Sequence, residues 1–244
     1  TLGSDGWNFE DSGRVQYDDT HKGFKKTFTH VEFAKGQIVE RKLVDDSRFP
    51  EITRASRLLG DSAFRKIEKS GASVFANAFT STTNNDGQST LGPDAVTLCS
   101  ASHPYNADDT TTQSNTGTTA LSTTSLSTTR IAMQKFTDDR GDITDCMPDT
   151  VLIPPDLEDT AKIAGLSPLD PLSANNAVNP QAGRFGYIVW HYLTDTNNWF
   201  MIDSGRMKES LLWYDRIPLE FGADGDFETF QAKFRAYVRY SRSE

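Results

Sequence analysis

The chain has few of the residues from which active sites are usually built. Its 244 residues include two cysteines, Cys99 and Cys146, and four histidines, His21, His30, His103 and His191. The cysteines form no CxxC pair and stand at no zinc-finger spacing from a histidine, so they read as small apolar thiols. HExxH, GxSxG, GxxxxGK[ST] and GxGxxG are all absent. The nearest approach to a nucleophile and base is Cys99 with His103, which has no third group in evidence to orient it. No apolar run approaches the ~20 residues that span a bilayer, so no membrane association is expected. No signal peptide is seen either. The chain opens on Thr1 rather than Met, so upstream residues are expected to have been removed or to lie outside this sequence.

Basic charge is also in short supply. Lys and Arg number 25 against 34 Asp and Glu, a formal net charge of -9. Gripping a phosphate backbone takes clustered cations, so the chain is a poor candidate for it through its overall field, which leaves open enclosing nucleic acid without holding it tightly. The carboxylates gather at Asp45-Asp46, Asp108-Asp109, Asp138-Asp139 with Asp142, and Asp224 with Asp226 and Glu228. The last group faintly suggests a calcium loop but lacks its full register, and all four read as solvated turns. No cofactor or metal is expected.

What the chain does have is a soluble, globular balance, 36% apolar and 24% charged, and enough length for a core. A glycine- and Asp-rich leading segment over 1–23 reads as irregular. Phe24 to Phe33 and Ile38 to Val44 are β-prone, and Ala34-Lys-Gly36-Gln37 between them reads as the turn of a hairpin. This hairpin is polar on both faces, so its partner is expected in another chain. Residues 51–79 are the clearest helix. Ile52, Ala55, Leu59, Ala63, Ile67, Val74, Phe75 and Ala78 recur at helical spacing behind Pro50, with Asp46 or Ser47 as cap and Gly60 and Gly71 as weak points.

The middle, 80–129, is rich in Ser, Thr, Asn and Gly and reads largely as loop. A second helix is expected from near Leu121 to near Asp139. Thr150–Ile153 reads as a buried strand, Asp156–Gly165 as a short helix and 166–185 as a long loop. Strands are expected at Tyr187–Leu193, Trp199–Asp203 and Ser210–Trp213. A last one, Phe227–Ser241, alternates Phe230, Ala232, Phe234, Ala236 and Val238 with Gln231, Lys233, Arg235, Tyr237 and Arg239. Helices and strands in separate blocks make the fold α+β.

Several segments resemble tailed-phage and prophage major head proteins. They are Val15-Gln-Tyr-Asp-Asp-Thr, Gly23 through Gly36, Val39 through Asp46, and Ala72-Ser-Val-Phe-Ala-Asn-Ala-Phe79. Further along come Leu98-Cys-Ser-Ala-Ser-His-Pro104, Gln113-Ser-Asn115, Pro148 through Glu158, Tyr192 through Asp203 and Leu212 through Phe221. The likeness covers nearly the whole chain in order.

The resemblance implies the α+β shell fold of the phage Hong Kong 97, with an extended hairpin loop, a long spine helix, and peripheral and axial domains. It places the loop within 1–46, the peripheral domain at 47–79 and 205–244 with the spine at 51–79, and most of the axial domain at 80–204. The N-terminal arm of such proteins, and the end of the axial domain, are expected to lie outside this sequence.

The implied function is structural: self-assembly into the pentamers and hexamers of an icosahedral shell around double-stranded DNA. The expected partners are further copies of the chain, a portal, and scaffolding or cement proteins. The location is the virion, after assembly in the bacterial cytoplasm. Phe28, Val31, Phe33, Lys35, Gly36, Ile38, Glu40, Arg41 and Lys42 are the expected intersubunit contacts on the loop, and Arg235 and Arg239 on the peripheral strand. The alternatives are an encapsulin-like compartment shell with the same fold, and a hydrolase built on Cys99 and His103.

Overall fold

The computed structural model describes residues 23–46, 48–80, 86–107, 111–169 and 177–242. The leading segment expected over 1–23 therefore lies, up to residue 22, outside the described residues, as do Ser47 and the pair Asp108-Asp109. Two layers account for the architecture: a long polar sheet laid along one helix, and a smaller packed body at that helix's far end.

The first strand, β1 (Val31–Glu40), leads through a short helix, α1 (Arg41–Asp45), into the long helix α2 (Phe49–Ala76). The 28 residues of α2 extend ~42 Å at the usual rise, uninterrupted by Gly60 or Gly71. Pro50 sits in its first turn as expected, but the residue before the helix is Arg48, which makes no side-chain cap. β2 (His103–Pro104) and β3 (Thr112–Gln113) form a two-residue ladder. The helix α3 (Thr123–Gln134) opens on Ser122, which exchanges side-chain and backbone hydrogen bonds with Ser125 in a capping box.

Next come β4 (Thr150–Ile153), a 3-10 turn at Pro155–Leu157, α4 (Glu158–Ala161) and a π turn at Lys162–Leu166. β5 (Gly186–Val189), β6 (Phe200–Ile202) and α5 (Ser204–Ser210) follow. Two long strands, β7 (Trp213–Asp226) and β8 (Gln231–Arg242), end the described chain.

The body is built on β4, which lies between a parallel β5 and an antiparallel β6. Its Val151, Leu152 and Ile153 are buried on both faces, which is why the segment reads as a continuous apolar run rather than an alternating one. Val151 and Ile153 join Leu121, Leu126, Ala161, Ala164 and Phe185 in one core cluster. Leu152 turns the other way, to Val74, Phe75 and Ala78 at the end of α2 and to Leu193 and Phe200. The helix is thereby fastened to the body through its last turns.

The second sheet is antiparallel, in the order β1-β8-β7. Here the structure corrects the hairpin expected around Gly36. The chain runs straight through Ala34–Gln37 as strand, and β1 pairs with β8 from Val31↔Tyr240 to Glu40↔Gln231. The continuous strand wins because it lets Phe33 and Val39 turn toward α2 while β8 supplies a full hydrogen-bond ladder, which a local turn would forfeit.

Residues Arg41–Asp45 are consequently helix, not a second strand. The segment Ser210–Trp213 is likewise the end of α5 and the start of β7, and β8 begins at Gln231 rather than Phe227. The hairpin of this protein is β7–β8, closed by the turn Phe227–Phe230.

Candidate assembly surface

Register decides which side chains of the long sheet face α2. Phe33↔Val238, Lys35↔Ala236 and Val39↔Ala232 are directly opposed, so Phe33, Val39, Val238, Ala236 and Tyr240 share the inner face. Val39, Ala236, Val238 and Tyr240 are buried there. Phe33 stacks on Tyr240 at 5.5 Å, and the Lys66 ammonium of α2 lies 4.2 Å from the centre of its ring. The alternation read from the sequence of β8 holds from Ala232 to Val238.

The outer face is polar and, among the described residues, bare. From β8 it carries Lys233, Arg235 and Arg239, from β1 Glu32, Gly36, Ile38 and Glu40, and from β7 Glu220, Gly222, Asp224 and Asp226. A basic central strand thus runs between two acidic ones. Lys233 pairs with Asp226 at 2.5 Å, and the Tyr237 hydroxyl donates to Glu32 at 3.1 Å. The Asp226 carboxyl is held down at about 2, first by the Lys233 bond, then by Thr229 and the Glu228 amide. This pairing uses Asp226 to close the hairpin. Among the described residues no cluster of three metal-ligating side chains occurs.

Of the contact residues expected from the sequence, Lys35, Gly36, Ile38, Glu40, Arg41, Lys42 and Arg235 are exposed, with Ile38 58% accessible. Arg41 pairs with Asp45 at 3.5 Å and lies over the Phe230 ring at 5.7 Å. Phe28, Val31, Phe33 and Arg239 are half-buried, and Phe28 meets Tyr214 edge-on at 5.0 Å. The structure adds a feature that sequence reasoning missed. The hairpin tip presents Phe227, 92% exposed, and Phe230, 62% exposed, the latter held at φ 52°. A phenylalanine in the left-handed region is costly, and a wholly exposed one has nothing to gain from water. The available signal was Phe227, which stands out of phase with the alternation of β8, whereas Phe230 is in phase with it.

At its root the sheet is locked to α2 by a buried polar cluster. Arg242 donates to the Ser70 carbonyl, to Ser70 Oγ at 3.1 Å and to Ser73 Oγ at 2.5 Å, and pairs with Asp86. Ser70 in turn donates to Asp86 at 2.6 Å.

The catalytic alternative does not assemble. Asp94 holds His103 Nδ1 at 2.7 Å, a contact that could orient a catalytic histidine, but no hydrogen bond joins His103 to Cys99, and burial pushes the Cys99 thiol up to about 11, away from the thiolate a nucleophile requires. No helix among the described residues is long and apolar enough to cross a membrane.

The sheet buries one face on its own helix and, among the described residues, leaves the other bare, with exposed aromatic side chains at its tip of the kind that mark a contact surface. The family is shown directly: the chain belongs to the phage capsid protein family, whose model matches residues 25–242. Among solved structures, a chain of Gordonia phage Cozz has the same fold at 10% identity and a TM-score of 0.52, over 99% of this chain and 75% of that one. Chains of Mycobacterium phages Adephagia and Cain are similar at 11% and 12% identity, with TM-scores of 0.45 and 0.44. Those alignments cover 98% and 97% of this chain and 74% of each of the others. No curated protein matches the sequence. The α+β shell fold that the resemblance implied is the fold found.

Proposed function

We propose that this phage capsid protein is the major head protein of a tailed phage, self-assembling into the pentamers and hexamers of an icosahedral shell around double-stranded DNA. The observation that carries this reading is the long β1-β8-β7 sheet, whose outer face and aromatic tip find no cover among the described residues. In this reading α2 and the long sheet form the peripheral domain, with α2 as its spine. The body around β4 forms most of the axial domain. The exposed residues Lys35, Ile38, Glu40, Arg41, Lys42 and Arg235 meet a neighbouring subunit, and the tip phenylalanines anchor the same contact. An acidic chain confines DNA without adhering to it. A portal and scaffolding or cement proteins complete the virion, which assembles in the host cytoplasm. Negative-stain microscopy of the purified chain tests the proposal. Closed particles of uniform size are expected. A persistent monomer across a range of salt and protein concentration overturns it.

A further inference from the structure

Arg235 lies between two glycines. In the ladder it stands directly opposite Gly36 on β1 and Gly222 on β7, so on the outer face neither cross-strand neighbour carries a side chain. The result is a transverse notch whose lining includes Gly36, Ile38, Gly222, Asp224, Lys233 and Arg235. A Cβ on Gly222 would stand 3.0 Å from Arg235 Nε and 3.4 Å from its Cγ, so the arginine side chain lies down over that glycine. Neither glycine sits in the left-handed region. The backbone therefore does not demand them, and what they preserve is room.

The other charged groups along the notch have hydrogen-bond partners within the chain. Lys233 is taken by Asp226, and the Asp224 carboxylate accepts from the Gly225 amide at 2.8 Å. Arg235 makes no ion pair among the described residues, and it is exposed. A flat guanidinium on a floor of glycine backbone can take a carboxylate through two parallel N–H bonds, a geometry that lysine does not reproduce.

We propose that the Gly36–Arg235–Gly222 notch is a carboxylate-binding site that receives an Asp or Glu side chain of a second copy of this chain. The inference rests on the assembling role argued above and names the chemistry of one contact in it. The partner is argued from charge complementarity: with 34 acidic against 25 basic residues, a second copy presents a predominantly acidic surface to an uncompensated cation.

The test measures the protein concentration at which the full-length chain assembles, by sedimentation, beside the Tm of the unassembled chain. Arg235→Ala should raise the assembly threshold ~10-fold, and Arg235→Lys should recover only part of the loss. Gly222→Val keeps the arginine's charge but fills the notch and lifts the side chain off the glycine floor. Valine suits an edge strand, so the Tm should hold or rise while assembly fails as in Arg235→Ala. Wild-type assembly should weaken with added salt more steeply than that of Arg235→Ala.

Arg235→Ala and Gly222→Val chains that assemble at the wild-type threshold overturn the notch and leave the shell reading intact. A wild-type chain that never assembles overturns both. A lowered Tm with an unchanged threshold shows that the carboxylate comes from the same chain, and a change confined to DNA retention shows a phosphate ligand. Either result overturns the proposal.

Discussion

Arg242 of β8 and Asp86, in the loop beyond α2, form an ion pair at 3.5 Å with both side chains 3% exposed. Two charges so deeply buried are each costly to leave alone, whatever the pair contributes as a whole. Asp86→Ala should therefore lower unfolding stability by ~3–5 kcal/mol in urea titrations. Replacing Asp86 and Arg242 together by apolar residues should recover much of that loss. A double variant as unstable as Asp86→Ala would show that the damage comes from packing rather than from an abandoned charge.

Gly165 in the π turn is filled from outside. A Cβ there would stand 1.5 Å from the Tyr187 hydroxyl oxygen and 2.4 Å from its ring carbon Cζ. Gly165→Ala should cost at least ~1–3 kcal/mol, because the ring must leave its place against the first core cluster. Tyr187→Phe removes a buried hydroxyl that has no hydrogen-bond partner, so it should be neutral or stabilising in the same measurement.

The hairpin tip is acid-sensitive in a defined window. The folded Asp226 carboxyl, at about 2, lies below its ordinary 3.8. A depressed carboxylate contributes stability that is fully present above the ordinary value and is lost as pH falls through the folded one. The Phe227–Phe230 turn should hold at pH 4 and above and loosen toward pH 2. An NMR titration of the Asp226 carboxyl carbon should give a midpoint about 2, and Lys233→Met should move it upward.

Cys99 should be a poor nucleophile. With its thiol at about 11, the thiolate fraction at pH 8 is on the order of one in a thousand. Iodoacetamide should label Cys99 slowly in the native chain at pH 8 and fast once the chain is unfolded in urea, as read by peptide mass spectrometry. Rapid native labelling would contradict the burial of this thiol.

Phe230 holds its left-handed backbone at a cost of ~1 kcal/mol or more. Phe230→Gly should raise the stability of the unassembled chain by about that amount in urea titrations, because glycine carries no such penalty. The same change should weaken assembly, because it removes one of two exposed rings from the tip.

What could be read from the sequence followed from how local its cause was. The long helix, the buried strand at Thr150–Ile153 and the inward set Ala232 to Val238 each declare themselves by a periodicity that needs no partner. β7 does not. Pro218, Gly222 and Gly225 argue against a strand, yet β7 is an edge strand whose register shifts on either side of Ile217, between Asp215 and Glu220, where a proline needs no ladder partner.

The turn expected at Gly36 failed for the complementary reason. Ala34-Lys-Gly-Gln has turn composition, but β8, nearly two hundred residues away, offers a better ladder. Phe230 falls in phase with the alternation of β8 and so looked like core, while in space it belongs to the turn. Arg235 could be picked out as an exposed cation. Its two flanking glycines could not, because their alignment is a property of register across three strands.

The bond from Tyr237 to Glu32 joins residues 205 apart in the sequence. β1 is made early on the ribosome, yet its ladder partner is made last among the described elements. Until β8 emerges, β1 has only α2 to lie on, and its hydrogen-bonding groups face water. The three-stranded sheet therefore comes into being only after the body around β4 can have folded.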